Sequence, residues 1–432
     1  MKLYLYHTDT VLAPFGDHVS EAQVLLERLA DTQARACRRA GVELERVARP
    51  VDARERPCLL APDYVYFSEK ALADFLATAR KQRSRGAALA LGRCRSVEAP
   101  LPLQDLRLED WPEQGEGGRA VYDLWLVPDG ELPERAQDVR AALLERCPPL
   151  EVPMREIVVP TRMPVLDEKE QVFHFAITST VCCHISHWTH LLWLGQLAFG
   201  IAWMERVRSH KVWTALTLLG SLARERSVNK YRVLAGMNSV GPGADMHPTA
   251  YLEASILGKD VKVGAGVCIR NSLIGDGVII ADHAVVLNSV IGHGCYLTEN
   301  FFVASSLCYP GSTLGNIKMQ MAVVGREVYL YGWCALMDAK FTGDIKVMHQ
   351  GKQAGTGRQF LASCVGHRAV LGAKVLIQPG REIPNDLLLV SNPEDVIAEV
   401  PREVPAGVPM VRYKGGLIPA AQLKAERAKP GA

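Results

Sequence analysis

Four of the five histidines in the C-terminal half of this 432-residue chain, His283, His293, His349 and His367, are candidates for proton transfer. Imidazole titrates near neutrality and can take a proton from a hydroxyl or amine attacking a thioester, while backbone amides hold the developing oxyanion. His293 stands in a Gly-His-Gly step and His367 follows Gly366; with His283 they are the candidate general bases. Glu299 and Asn300 follow His293 closely, and Asp338, Lys340, Lys352 and Arg358 could meet an anionic ligand, so these six are the candidate substrate-binding residues. Lys318 and Arg326 read as solvated charges. A second group, His184, His187 and His190, lies beside Cys182 and Cys183 without an HExxH pattern or paired CxxC units. It reads as hydrogen-bonded histidines at a helix start, and no bound metal is expected.

The elements that must carry these side chains announce themselves by repetition. Ala254-Ser255-Ile256-Leu257-Gly258, Asn271-Ser272-Leu273-Ile274-Gly275 and Asn288-Ser289-Val290-Ile291-Gly292 recur every 17 residues, and Ala304-Ser305-Ser306-Leu307 is an imperfect fourth copy. Aliphatic–small steps spaced by five or six residues fit a triangular coil whose aliphatic residue points inward and whose small residue rounds a tight corner. Such a coil cannot bury its own edge and must stack on its neighbours. The pattern breaks after Ser312 and resumes at Val365, which predicts an irregular insertion over 312–362 within a coil domain spanning 236–400.

Residues 240–292 and 365–380, with Met246-His247-Pro248-Thr249-Ala250 opening and Val375-Leu376-Ile377-Gln378-Pro379-Gly380 closing, resemble the hexapeptide-repeat transferase superfamily. The resemblance implies a left-handed parallel β-helix, a homotrimer, and a histidine base at a cleft. It further implies acyl or acetyl transfer from an acyl-CoA donor to a sugar or nucleotide-sugar. An α/β unit before such a helix also resembles sugar-phosphate nucleotidyltransferases fused to a hexapeptide domain. Their Gly-rich first loop is missing, and Leu12-Ala13-Pro14-Phe15-Gly16 stands where it would be. A catalytically degenerate nucleotidyltransferase-like binding or scaffold protein is therefore the alternative.

Residues 1–160 alternate strand-like and helix-like runs, which implies an α/β domain with a largely parallel sheet. Ser20 is placed to cap a helix running toward Ala40, Gly41 to end it, and Ser68 to cap a second; residues 131–144 suggest another. Residues 161–235 form an apolar connector, read as two helices joined near His210. Its run 191–204 is shorter than the roughly 20 residues a membrane span needs. A linker core, a subunit contact and a surface resting on a membrane are its possible roles, in that order. Residues 401–432 read as a tail. With 49 basic against 47 acidic residues the net charge is +2, which gives no nucleic-acid signal. The 11 cysteines are scattered and the N-terminus lacks a signal-peptide pattern, so a cytoplasmic location is expected.

Overall fold

The computed structural model describes residues 1–112, 115, 117–162, 172–209, 236–315, 318–392, 397, 406–414 and 416–427. The N-terminal strands order as Pro149–Val152, Ala87–Gly92, Arg119–Val127, Cys58–Pro62, Lys2–Tyr6 and Glu43–Val47. Arg119–Val127 runs antiparallel to both neighbours, so the sheet is mixed rather than largely parallel. Leu3 and Leu5 pack with Leu72 and Phe75 on one face, and Tyr4 and Tyr6 with Val139 and Leu143 on the other. Burial on both faces is why the inner strands read as near-continuous apolar runs, whereas the edge strand Glu43–Val47 is largely exposed and alternates.

Ser68 caps the helix Glu69–Lys81 as its sequence suggests, its Oγ accepting the Ala71 N–H at 3.2 Å. The helix expected from Ser20 onward begins only at Leu29 and ends at Arg39. Before it lie a short turn, Val19–Glu21, and a hairpin of Gln23–Val24 with Glu27–Arg28. Tertiary contacts override the helical pattern here. Gln23 donates its N–H to the Tyr309 hydroxyl at 2.9 Å and its Nε2 to the Cys308 carbonyl at 3.2 Å, and Leu25 adopts φ 59°. The helix expected over 131–144 shrinks to Ala136–Asp138 and Val139–Leu143.

In the C-terminal half, parallel strands stack coil on coil into a left-handed β-helix. The first face holds eight strands from Ser239–Val240 to Glu382–Ile383, and the second holds eight from Asp245–Met246 to Leu388–Leu389. The third holds five, from Tyr251–Glu253 to Lys318–Gln320. Each letter of the repeated phrase has a separate task. Asn271 and Asn288 take φ 49° at the corner entering the first face, a conformation asparagine tolerates better than most residues. Ser272 and Ser289 are buried; each hydroxyl donates to the carbonyl two residues earlier and accepts the serine N–H of the next coil. Leu273 and Val290 point outward, while Ile274 and Ile291 point into the core. Gly275 and Gly292 finish the phrase, where an added Cβ would stand 2.6 Å from the backbone nitrogens of His293 and Pro310.

The outward column of the first face is the seat of the connector helix, Trp188–Ser209. Leu191, Leu194 and Ile201 join Leu273, Val290, Leu307 and Val323 in one buried cluster that also takes in Leu12, Phe15 and Val24. The apolar run is thus the seam between the α/β unit and the β-helix. No described helix is long and apolar enough to cross a membrane. The second helix expected around 213–219 lies outside the described residues.

The insertion is narrower than the sequence predicts. Regular coils continue through Tyr329–Leu330 and Ala335–Leu336, and only then does the chain leave the helix, returning at Cys364–Val365. The excursion carries a hairpin of Lys346–His349 with Lys352–Gly355. Val290 pairs with Leu307 17 residues on, but Leu307 pairs with Val323 after only 16. That single shortened coil shifts the phase, which makes a continuing repeat look broken. In the tail, Met410–Tyr413 and Gly416–Pro419 pair as a hairpin.

Candidate functional site

The three candidate bases are not brought together. His293 and His367 both occupy the corner between the first and second faces, directly after the corner glycine. At this position a side chain accepts the backbone N–H of the preceding coil. Asp276 Oδ1 accepts from Lys259 at 2.7 Å and Asn385 Oδ1 from His367 at 2.7 Å. His293 Nδ1 accepts from Asp276 at 2.8 Å, and His367 Nδ1 from Arg326 at 2.9 Å. With Nδ1 an acceptor, the proton sits on Nε2. In His293 it points to the Leu26 carbonyl at 3.3 Å, and in His367 to Asp17 Oδ2 at 3.0 Å. His283 is exposed at the next corner, at φ 60°.

The proposed substrate residues scatter as well. Glu299 and Asn300 are exposed at the corner one strand beyond His293, one coil above His283, with Asn300 N–H on the Asp282 carbonyl at 3.0 Å. Asp338 pairs with Lys318 at 3.0 Å, and Lys340 donates to the Asp344 carbonyl at 2.9 Å. Lys352 is exposed on the excursion hairpin. Arg358 lies over the Trp193 ring at 4.9 Å and reaches the Ala99 carbonyl at 3.4 Å; burial depresses its pKa. It ties the excursion to the connector helix.

His184, His187 and His190 are buried and individually hydrogen-bonded. His184 Nε2 accepts the Asp123 N–H at 3.0 Å, His187 Nε2 reaches the Met348 carbonyl at 3.0 Å, and His190 Nε2 reaches the Pro102 carbonyl at 2.9 Å. Burial lowers the pKa of His184 to about 4 and of His190 to about 3.

The loop after the first strand clamps the β-helix. Asp17 accepts a hydrogen bond from His367 Nε2–H and forms an ion pair with Arg326, Phe15 stacks on the His367 ring at 4.7 Å, and Asn385 Nδ2 donates to the Phe15 carbonyl at 2.6 Å. Burial also depresses the pKa of His367, against the opposing pull of Asp17. Beside this clamp opens a cleft of about 460 Å³ lined by Gln23, Arg28, His293, Tyr309, Arg326 and Glu327, among others. Its volume falls in the range of small-molecule sites, roughly 300–1,000 Å³.

The sequence reading missed a further cluster at the carboxyl ends of the adjacent parallel strands Lys2–Tyr6 and Cys58–Pro62. Ligands of open α/β sheets characteristically bind at such ends. His7, His18 and Asp63 each turn one ligand-type atom inward there, all within 4.8 Å of one another. Asp63 is buried and held by Thr8, whose hydroxyl donates to Oδ1 at 2.6 Å and whose N–H donates to Oδ2 at 3.0 Å. Adjacent residues of a strand face opposite ways, so Asp17 reaches the β-helix while His18 turns toward this cluster. The signal was present in the sequence only as a histidine and an aspartate each directly following a strand.

Residues 234–350 match the family model described as the GMPPB C-terminal domain. None of the curated proteins matches the chain. Among solved structures, a Bacillus cereus protein provisionally described as an acetyltransferase shares 16% identity, covering 34% of this chain and 74% of that one with a TM-score of 0.15. Over residues 234–350 the stacked parallel coils are thus similar to that C-terminal domain.

Proposed function

We propose that this nucleotidyltransferase- and acyltransferase-like chain acts as a binding and assembly protein for a sugar or nucleotide-sugar, without acyl transfer. One observation carries this reading: the Nδ1 lone pairs of His293 and His367, which a general base would need, are spent on backbone N–H groups of the preceding coil. The loop after the first strand, where the resembling enzymes grip phosphates, is likewise spent on the clamp. The cleft beside His293, with Arg28 and Arg326 among carboxylates, suits a polar ligand, and assembly is through the β-helix, as a homotrimer in the resembling family.

The test measures release of free CoA from acetyl-CoA with a panel of sugars and nucleotide-sugars, beside calorimetric binding of the same ligands. The expected result is binding without CoA release. The variant His293→Asn separates the two roles, because Asn385 shows that an amide fills this corner slot. As a corner acceptor the asparagine preserves stability to within about 0.5 kcal/mol, whereas His293→Ala costs about 1 kcal/mol. Steady CoA release that disappears in His293→Asn, His367→Asn or His283→Ala would establish acyl transfer by that base instead.

A further inference from the structure

We infer that His7, His18 and Asp63 form a binding site for a divalent transition cation of the zinc class at the carboxyl edge of the N-terminal sheet. This inference is independent of the cleft and of the proposed binding role. Asp63 Oδ2 lies 3.2 Å from His7 Nδ1 and 3.5 Å from His18 Nε2. Ligand atoms around a tetrahedral zinc with bonds of about 2.0–2.1 Å stand about 3.3 Å apart, so the three donors already sit near the edges of such a site. Two imidazole nitrogens and one carboxylate favour zinc or its transition-metal neighbours over magnesium or calcium, which prefer all-oxygen shells.

The surroundings supply what a metal site needs behind its ligands. Thr8 fixes the Asp63 carboxylate through Oδ1 and Oδ2, and Ser20 Oγ sits 2.8 Å from His18 Nδ1. A ligating imidazole holds its proton on the other nitrogen and gives it to an oriented acceptor. In the structure His18 Nε2 instead donates to the Thr8 carbonyl at 2.6 Å, with Nδ1 accepting the Ser20 N–H at 3.3 Å. Metal binding therefore exchanges the tautomer: the proton moves to Nδ1, where Ser20 Oγ accepts it, and Nε2 turns its lone pair to the cation. The His7 and His18 rings stack at 4.6 Å, and the His7 side chain is about half exposed, which leaves the outer side of the site open to a water or an anionic ligand oxygen.

The experiment titrates the chelator-treated full-length chain with ZnCl₂ by calorimetry and with CoCl₂ by visible absorption. Wild type is expected to take up one Zn²⁺ with no comparable Mg²⁺ uptake, and its Co²⁺ spectrum to show nitrogen and oxygen ligation without a thiolate charge-transfer band. His7→Ala removes a direct ligand and should weaken Zn²⁺ binding by more than the roughly hundredfold that loss of a supporting outer group costs, with its metal-free melting temperature unchanged. Should that variant fold poorly, His7→Gln gives the same comparison with the polar bulk retained. Absence of Zn²⁺ uptake by wild type would overturn the inference. So would uptake undiminished in the His7 variants, or a thiolate band that traces the metal to the cysteines.

Discussion

Asp17 accepts from His367 and Arg326 at once, and through them joins the first loop of the chain to its last coils. Asp17→Asn keeps the shape but leaves His367 Nε2–H and the Arg326 guanidinium with a neutral partner. Since Arg326 is partly exposed, solvent screens much of the loss, and a cost of about 1–2 kcal/mol is expected in urea denaturation. Hydrogen exchange should accelerate together in the 10–28 loop and around His367 if the clamp is what couples them. The buried rings of His184 and His190 set a different dependence. Burial lowers their pKa values from 6.5 to about 4 and about 3, so the native rings stay neutral while the unfolded chain protonates them. The unfolded state then binds more protons, and stability, fully present above pH 6.5, falls as the pH drops through that window toward the folded values. Unfolding free energies from urea denaturation at pH 7.5 and pH 5 should differ by about 4 kcal/mol, about 2 from each ring; a flat profile would mean these rings protonate in place. The hydrogen-bonded state of His187 and His190 was legible from their crowding at a helix start, whereas His184 ends the strand Cys182–His184 ahead of the helix. The cluster of His7, His18 and Asp63 was not, because only the sheet's strand order brings residue 63 beside residue 7.

Repetition made the coils readable, since a phrase held in phase for three turns leaves few other ways to bury its aliphatic residues. The phrase also explains itself once the faces are known: two adjacent aliphatics are needed because the first face is buried on both sides, by the core within and by the Trp188–Ser209 helix without. What the sequence hid was phase and tertiary override. A coil of 16 residues disguised the true excursion, and the clamp replaced the first turns of a helix that Ser20 seemed to begin. The serine ladder offers the sharpest test at this scale. Ser289→Ala removes the hydroxyl that accepts the Ser306 N–H at 3.2 Å and donates to the Leu287 carbonyl at 2.7 Å. A buried N–H left without its acceptor costs about 1–3 kcal/mol, against the few tenths expected for an exposed serine. The change should appear as a lower urea midpoint at unchanged slope. Gly195 makes the complementary case on the helix. A Cβ there would meet Leu307 Cδ1 at an ordinary 3.5 Å, so Gly195→Ala should stabilise by up to about 1 kcal/mol. Gly195→Leu should instead force the helix off the first face and destabilise the seam.

At the scale of the whole molecule, the connector helix covers the outward side of the first face, but the far corner near the C-terminal coils has no such cover among the described residues. Tyr331, Met337, Phe341 and Leu376 are exposed there, with Trp333 at 69% and Leu388 at 67%. Where large exposed apolar side chains are contiguous they commonly mark association, so self-association through this corner is the expected outcome. Trp333 strengthens the point because it holds φ 68°, a conformation a bulky residue adopts only at a cost of about 1–3 kcal/mol. The coil's turn sets this backbone, since His283 and Asn300 hold φ 60° and φ 58° at the same corner, and at Trp333 it carries an exposed indole. Trp333→Gly therefore has opposite expected effects on the two properties. The isolated chain should gain stability, since glycine takes this backbone without strain. Self-association, expected as a trimer and measured by light scattering across a dilution series, should weaken. If wild type is monomeric at every concentration, or if Trp333→Gly assembles as tightly as wild type, the apolar corner is not the contact. A loss of both stability and assembly would instead make the indole a packing residue of the final coils.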